Sequence, residues 1–175
     1  MSIRLTPHPA HPCDESLQLV FEIEREAAGL TMRFTLTGEL SNLRIPGGPG
    51  GARRDELWTQ TCFELFAQLP GQSDYWEYNF SPNGDWAMYR FSEYRKKGSS
   101  PTEAAPIIQL VPAPDQLQLI AQIPALPDGL SSGRLAIGPA AILQPRDGKQ
   151  SYWAVHHSLD IPDFHRAESF KIRLD

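Results

Sequence analysis

The residues with the clearest capacity for chemistry lie between Leu57 and Arg95, where charged and amide side chains alternate with aromatic rings. Carboxylate, amide and guanidinium groups can hydrogen-bond the hydroxyls of a polyol, while flat aromatic rings can cover the C–H faces of a sugar. The candidate ligand-binding residues are Trp58, Glu64, Glu77, Asn79, Trp86 and Arg90. Their combination indicates a surface that recognises a small carbohydrate-like ligand, rather than a catalytic centre.

Strand parity groups these candidates, because successive side chains of a strand point to opposite faces of the sheet. The three predicted strands of the segment run over residues 61–68, 75–81 and 85–94. If they form a meander, one shared face carries the polar residues Glu64, Glu77, Asn79 and Arg90. Three aromatic residues are expected at the margins of that face, namely Trp58, Trp86 and Tyr94. The opposite face of the middle strand is expected to join the core through Trp76, Tyr78 and Phe80.

The elements that position this face are predicted to be short strands. Sixteen prolines and thirteen glycines punctuate the chain, and the runs between them alternate apolar and polar residues, which is typical of all-β sandwiches and barrels. We expect an all-β fold, an antiparallel two-sheet β-sandwich of jelly-roll or immunoglobulin-like type with about ten strands. One short helix is expected over residues 52–58. The expected strands cover residues 3–7, 17–24, 31–37, 61–68, 75–81, 85–94, 107–111, 116–123, 134–143, 151–156 and 169–174.

Length and charge limit the possible classes of protein. The chain has 175 residues and a net charge of −5, so we expect a single domain over residues 1–175 and no nucleic-acid partner, which would need clustered Lys and Arg. No apolar stretch approaches the roughly 18 residues of a membrane helix, and the first residues lack the apolar region of a signal peptide. We therefore expect a cytoplasmic protein with no membrane partner, and make no prediction of its oligomeric state.

Three motifs resemble a known group of proteins. They are LW-x₃-CFELF, YWEYNFSPNGDWAMYRFSEYR and YWAVHHSLDIPDFH-x₄-F, and together they cover about residues 57–174. The chain resembles the bacterial DOMON-like proteins, which are similar to family 9 carbohydrate-binding modules. The resemblance implies a two-sheet β-sandwich that binds a sugar or haem.

The resemblance also implies roles for individual residues. Trp58 matches a tryptophan that stacks on the sugar, and Glu64 matches a carboxylate that bonds the sugar hydroxyls. Asn79 and Arg90 match polar residues on neighbouring strands. A second stacking tryptophan could be Trp86 or Trp153.

Alternatives to sugar binding start from the same residues. Glu64 and Arg90 could form a buried ion pair, with Trp58 and Trp86 in the core. The chain would then be a structural or interaction β-sandwich without a ligand, and the missing signal peptide favours this, since modules for polysaccharides normally work outside the cell.

Cofactor and enzyme chemistry is less well supported by the sequence. Haem would need axial ligands such as Met32, Met88 or His156, and the segment 156–165 contains residue types that bind metals, but without the spacing of a known motif. Glu64 and Glu77 could form a glycosidase pair, although nothing in the sequence marks an acid of raised pKa. We therefore expect no cofactor and no enzymatic activity.

Overall fold

Twelve strands make up the regular structure of the described residues, together with 3₁₀ turns at Leu57–Thr59 and Ala167–Ser169. The computed structural model describes residues 1–98, 104–127, 130–131 and 133–175. The strands are β1 (Ser2–Pro7), β2 (Gln18–Arg25), β3 (Leu30–Thr37), β4 (Cys62–Gln68), β5 (Tyr75–Phe80), β6 (Trp86–Glu93), β7 (Lys96–Lys97), β8 (Ile107–Ala113), β9 (Gln116–Ile123), β10 (Leu135–Leu143), β11 (Ser151–Ala154) and β12 (Ile172–Leu174).

The strands form two antiparallel sheets that share β1. The first sheet has the order β1-β2-β3-β9-β8, and the second has the order β7-β6-β5-β4-β10-β11, with β12 beside β10. The beginning of β1 pairs with β2, while Thr6 and Pro7 pair with β11. Buried side chains from both sheets form one apolar cluster between them, which we call the inner core. The prediction of an antiparallel β-sandwich is confirmed.

The inner core follows directly from the period-two pattern of the strands. In β2 and β3, every second residue is apolar and buried, so each strand gives one face to the core and one to solvent. Phe34 joins the two sheets, because its ring centroid lies 4.9 Å from that of Phe21 on β2 and 5.1 Å from that of Phe63 on β4.

The second sheet differs because it is buried on both faces. Every residue of β4 and of β10 is buried. Its outer face holds a second apolar cluster, the outer core, whose buried residues are Leu57, Cys62, Phe66, Tyr75, Ala87, Tyr89, Phe91, Ala136, Ala140, Ile142, Ala154, Phe164 and Phe170. The segment 155–171, which we call the C-terminal arm, covers this face and contributes Phe164 and Phe170.

Small residues on β10 make room for the C-terminal arm. Ala136, Gly138 and Ala140 occupy alternate positions of this strand. A Cβ atom on Gly138 would lie 2.8 Å from Cδ1 of Phe170 and 3.2 Å from the carbonyl oxygen of Ser169. Gly138 therefore allows the arm to approach the sheet closely, which is a common reason for glycine within a strand.

Two local expectations are corrected. The expected helix over 52–58 is absent from these described residues, and only the 3₁₀ turn at Leu57–Thr59 forms. Its preceding residue, Glu56, has φ 62°, a left-handed conformation that interrupts a helix. The stretch after Tyr94, where no strand was expected, contains β7, which folds back on β6 because Arg95 also adopts a left-handed conformation, with φ 55°. Residues 99–103 of that stretch lie outside the described residues.

Candidate ligand-binding site

A cavity of about 610 Å³ lies on the outer face of the second sheet. Its floor and walls come from β4, β5, β6, β7, β10 and β11, the segment 55–58 with its 3₁₀ turn, and the C-terminal arm. The volume is within the range of small-ligand pockets. The residues that matter for its chemistry are Asp55, Trp58, Glu64, Glu77, Tyr89, Phe91, Arg95, Lys97, Tyr152, Asp163, Phe164 and His165.

Glu64 is a buried acid that faces the cavity without a partner. It is 3% exposed, and it has no hydrogen bond or ion pair to any of the described residues, although its carboxyl oxygens are not sealed from the cavity. Burial, and then the nearby charge of Glu77, raises the pKa of Glu64 well above its ordinary value of 4.5. Buried polar groups in proteins are nearly always hydrogen-bonded, so one without a partner calls for an explanation such as a bound ligand.

Glu77 is the second buried acid, and it does have partners. Asn79 donates a hydrogen bond from Nδ2 to Oε1 of Glu77 at 2.7 Å, and Nε2 of His165 lies 3.7 Å from Oε2. Burial raises the pKa of Glu77, while the hydrogen bond from Asn79 and the charges of Lys97 and Arg95 oppose that rise. Of the two acids, Glu77 is the one with partners that favour its ionised form and so limit the rise in its pKa.

The tautomer of His165 follows from its neighbours. The backbone N–H of Arg95 donates to the hydroxyl of Tyr75 at 3.1 Å, and that hydroxyl lies 2.8 Å from Nδ1 of His165. Because the hydroxyl already accepts from Arg95, its own proton is free to donate to Nδ1, which leaves the ring proton on Nε2, facing Glu77. Burial, followed by the charge of Arg95, lowers the pKa of His165 to about 4, so the ring is neutral at physiological pH.

Asp163 fastens the C-terminal arm to the turn between β6 and β7. Its carboxylate accepts hydrogen bonds from the Tyr94 hydroxyl at 2.7 Å, from Arg95 at 2.9 Å and from the backbone N–H of His165 at 3.1 Å. Burial alone would raise the pKa of Asp163, but these bonds outweigh it and hold the pKa below its ordinary value of 3.8. The wall of the cavity is therefore held by an ionised, fully bonded acid.

The mouth of the cavity carries aromatic rings and the remaining charges. Trp58 is 50% exposed and lines the cavity, so its ring is available to a ligand. The Tyr89 hydroxyl donates to Asp55 at 2.6 Å, and Nζ of Lys97 lies 3.8 Å from the centroid of the Tyr89 ring. Glu56 and Arg95, the two non-glycine residues of the described ranges with positive φ, also line the cavity, and such strained backbone is frequent at functional sites.

The structure brings together three of the six candidate residues at the cavity. Trp58, Glu64 and Glu77 line it. Asn79 is on the same face, opposite Glu64 in the β4–β5 pairing, but it is 1% exposed and reaches the cavity only through Glu77. The shared face predicted for Glu64, Glu77 and Asn79 is present.

The predicted positions of Arg90 and Trp86 on that face are wrong. Glu77 pairs with Tyr89 on β6, whereas Arg90 pairs with Trp76, and residues directly opposite each other in an antiparallel pair share a face. Arg90 binds Asp74 at 3.0 Å and lies 5.1 Å from the Trp76 ring. The alternative of a buried Glu64–Arg90 ion pair is also ruled out by this register.

The tryptophans considered for a second stacking position lie elsewhere. Trp86 packs against the inner core, and its backbone is bonded to that of Ala52 and Arg54. Trp153 is 2% exposed within the inner core, and its indole N–H donates to Ser151 at 2.9 Å. Tyr94, expected at the margin, contacts the cavity wall through Asp163.

Sequence reasoning missed most of the cavity wall. The missed residues include Tyr89, Phe91, Arg95, Lys97, Asp163 and His165. Arg95 and Lys97 lie between two expected strands, and Asp163 and His165 belong to the segment that was considered only for metal binding. A signal was present in the same pattern, because Tyr89 and Phe91 alternate on β6 just as Glu77 and Asn79 alternate on β5.

The residues considered for metal or haem do not meet. Across the described ranges, no three His, Cys, Asp or Glu side chains are grouped so that they could hold a metal ion. Met32 and Met88 are buried in the inner core, and His156 is exposed. The neighbouring His157 is bonded to the carbonyl of Thr6 at 2.9 Å. In the same part of the chain, no helix has the length and apolar character needed to cross a membrane.

The chain is similar to known proteins in its three-dimensional structure. No family model and no curated protein matches the sequence. The crystal structure of a candidate carbohydrate-binding protein from Bacteroides uniformis ATCC 8492 superposes with a TM-score of 0.67 and 11% identity, covering 97% of this chain and 84% of that chain. This likeness shows a shared fold.

Two further structures are carbohydrate-binding modules of family 9 from Caldicellulosiruptor kristjanssonii. The complex with cellotriose has a TM-score of 0.49 and 9% identity, covering 87% of this chain and 71% of that chain. The complex with glucose has a TM-score of 0.49 and 9% identity, covering 86% of this chain and 73% of that chain.

Proposed function

We propose that this protein is a non-catalytic module that binds a small carbohydrate-like ligand in the cavity on the outer face of the second sheet. The observation that carries the proposal is Glu64, a buried carboxyl that faces the cavity and has no partner among the described residues. A hydroxyl of a bound sugar would supply the missing hydrogen bond. Unpaired buried polar groups are costly, so a ligand that pairs them gains affinity and specificity.

The other residues of the cavity suit the same class of ligand. The exposed ring of Trp58 can cover the C–H face of a sugar at the mouth, while Glu64 and Glu77 can bond hydroxyls deeper in the cavity. Asn79 acts indirectly, because its hydrogen bond orients Glu77. The open cavity and the exposed ring also favour binding over a purely structural role. The shared fold with the candidate carbohydrate-binding protein from Bacteroides uniformis is additional support.

Calorimetric titration with neutral monosaccharides and disaccharides tests this function. We expect binding at millimolar or lower concentration, with a loss of about tenfold or more for Glu64→Ala and for Trp58→Ala, because each removes a contact worth roughly 1–2 kcal/mol. Arg90→Ala and Ile107→Ala are matched controls, since both side chains are exposed and lie away from the cavity. Absence of binding to any sugar, or equal losses in the controls, would refute the proposal.

One observation favours a second candidate, the hydrolysis of a glycosidic bond. Burial raises the pKa of both acids, but Glu77 accepts a hydrogen bond from Asn79 whereas Glu64 has no partner among the described residues. Two neighbouring acids in different surroundings are the pattern of a general acid and its ionised partner. Release of nitrophenol from nitrophenyl glycosides separates the candidates. Turnover that is lost in both Glu64→Gln and Glu77→Gln would favour hydrolysis, and binding without turnover favours the module.

A further inference from the structure

The lining of the cavity contains more acidic than basic side chains. The lining contains five acidic residues, namely Asp55, Glu56, Glu64, Glu77 and Asp163, but two basic ones, Arg95 and Lys97. His165 adds no charge, because burial lowers its pKa to about 4. An anionic sugar would therefore meet repulsion, whereas a neutral or cationic one would not.

Neither basic residue of the lining forms an ion pair with Glu64. The guanidinium of Arg95 is bonded to Asp163 at 2.9 Å, and the ammonium of Lys97 lies 3.8 Å from the centroid of the Tyr89 ring. Both cations favour the ionised form of Glu77. Glu64 is affected instead by its burial and by the like charge of Glu77, and both of these disfavour its ionised form. Glu64 therefore lies beside another acid, with no basic group of the described residues to pair with it.

Resting on the proposed function, we propose that the ligand is an amino sugar, whose ammonium group is placed between Glu64 and Glu77 while its ring lies against Trp58. The ammonium supplies up to three hydrogen-bond donors and a positive charge, which are what this pair of acids lacks. Hydrogen bonds between ionised groups are about twice as strong as those between neutral groups. The cavity would then discriminate by charge as well as by shape.

A coupled proton release distinguishes this mode of binding from ordinary hydroxyl recognition. Burial and the charge of Glu77 favour the protonated form of Glu64. An ammonium group favours the ionised form, so the amino sugar should displace the proton into solvent as it binds. A neutral sugar brings no charge and should leave the proton in place.

The experiment compares a parent sugar with its amino derivatives by calorimetry in two buffers of different ionisation enthalpy. The parent is whichever of glucose, galactose and mannose binds most tightly, and the derivatives carry an amino group at carbon 2, 3 or 6. At least one derivative should bind about tenfold more tightly than the parent, with net release of a proton. Its N-acetylated form, which has no charge, should lose that gain.

The variant Glu64→Gln keeps the shape and hydrogen-bonding capacity of the side chain but removes its charge. We expect this variant to release no proton and to lose the part of the amino-sugar gain that the Glu64 carboxylate supplies, while Glu77 keeps the remainder. If the parent binds and no derivative gains affinity, the inference is wrong while the proposed function stands. If no sugar of either kind binds, both are wrong. An undiminished gain in Glu64→Gln, or proton release that persists there, also overturns the inference, because the charge would then be recognised elsewhere.

Discussion

The outer faces of the two sheets are built on opposite principles. On the first sheet, the outer face meets solvent, and its polar groups pair with one another, as Arg33 does with Glu22 at 3.4 Å and Gln118 does with Thr35 at 3.2 Å. On the second sheet, the outer face is buried under the C-terminal arm and includes two acids, one of them unpaired. The exposed face pairs its polar groups with one another, whereas the buried face leaves Glu64 without a partner among the described residues, and the proposed ligand site rests on that difference.

The largest difference between the two faces should appear in stability. Phe66 is buried in the outer core, with its ring stacked 5.9 Å from that of Phe170, so Phe66→Ala should lower the free energy of unfolding by about 3–5 kcal/mol. Thr35→Ala, on the outer face of the first sheet, should change it by less than about 0.5 kcal/mol. Urea unfolding measures both. Similar losses for the two variants would show that the outer core contributes no more to stability than the exposed face of the first sheet.

A smaller effect is expected where the arm is fastened to the second sheet. Asp163→Asn removes the charge that holds Tyr94, Arg95 and the backbone of His165, and should cost about 1–3 kcal/mol. Hydrogen exchange should accelerate in the C-terminal arm and leave the first sheet unchanged. Asp160→Asn is the control, since Asp160 is exposed. Unchanged exchange in the arm would contradict the role assigned to Asp163.

The smallest expected effect is a gain in stability, in the variant Glu64→Gln. The folded protein holds the Glu64 proton more tightly than the unfolded chain does, so the stability linked to Glu64 is complete below pH 4.5 and is lost as pH rises through the raised pKa. Glu64→Gln should therefore stabilise the protein by about 1–2 kcal/mol at about pH 8 and have little effect at about pH 4.

The matched control for that gain is Glu22→Gln on the first sheet. Glu22 is 42% exposed and paired with Arg33, and such surface pairs contribute about 0–1 kcal/mol. Thermal or urea unfolding across this pH range compares the two variants. A destabilised Glu64→Gln at high pH would show that Glu64 has a partner and that the contrast between the faces is false.

Sequence patterns predicted the inner core well because burial on one face leaves a regular alternation, as in β2 and β3. They also placed Glu64, Glu77 and Asn79 together, since parity within β4 and β5 is a local property. The position of Arg90 was wrong because the register between β5 and β6 depends on the intervening turn. That turn sets Phe80 opposite Trp86, and a slip of one residue exchanges the faces.

The C-terminal arm could not be predicted for a different reason. Its contacts join residues far apart along the chain, such as Tyr75 with His165 and Tyr94 with Asp163. The segment has no period of either a helix or a strand, so local pattern gives no indication of where it packs. The small residues of β10 are the best clue in the sequence, because a glycine within a strand, such as Gly138, often marks the close approach of another segment.

The strand that belongs to both sheets has a consequence for the speed of folding. Thr6 pairs with Ala154, so this junction closes only when two distant parts of the chain have found each other. Closing so long a loop lowers the entropy of the chain before the contacts at the junction can stabilise it. Proteins with many such long-range pairings therefore fold slowly. We expect the hairpin of β2 and β3 to form early and the seam at β1 to form late, and pulse-labelling hydrogen exchange during refolding would show that order.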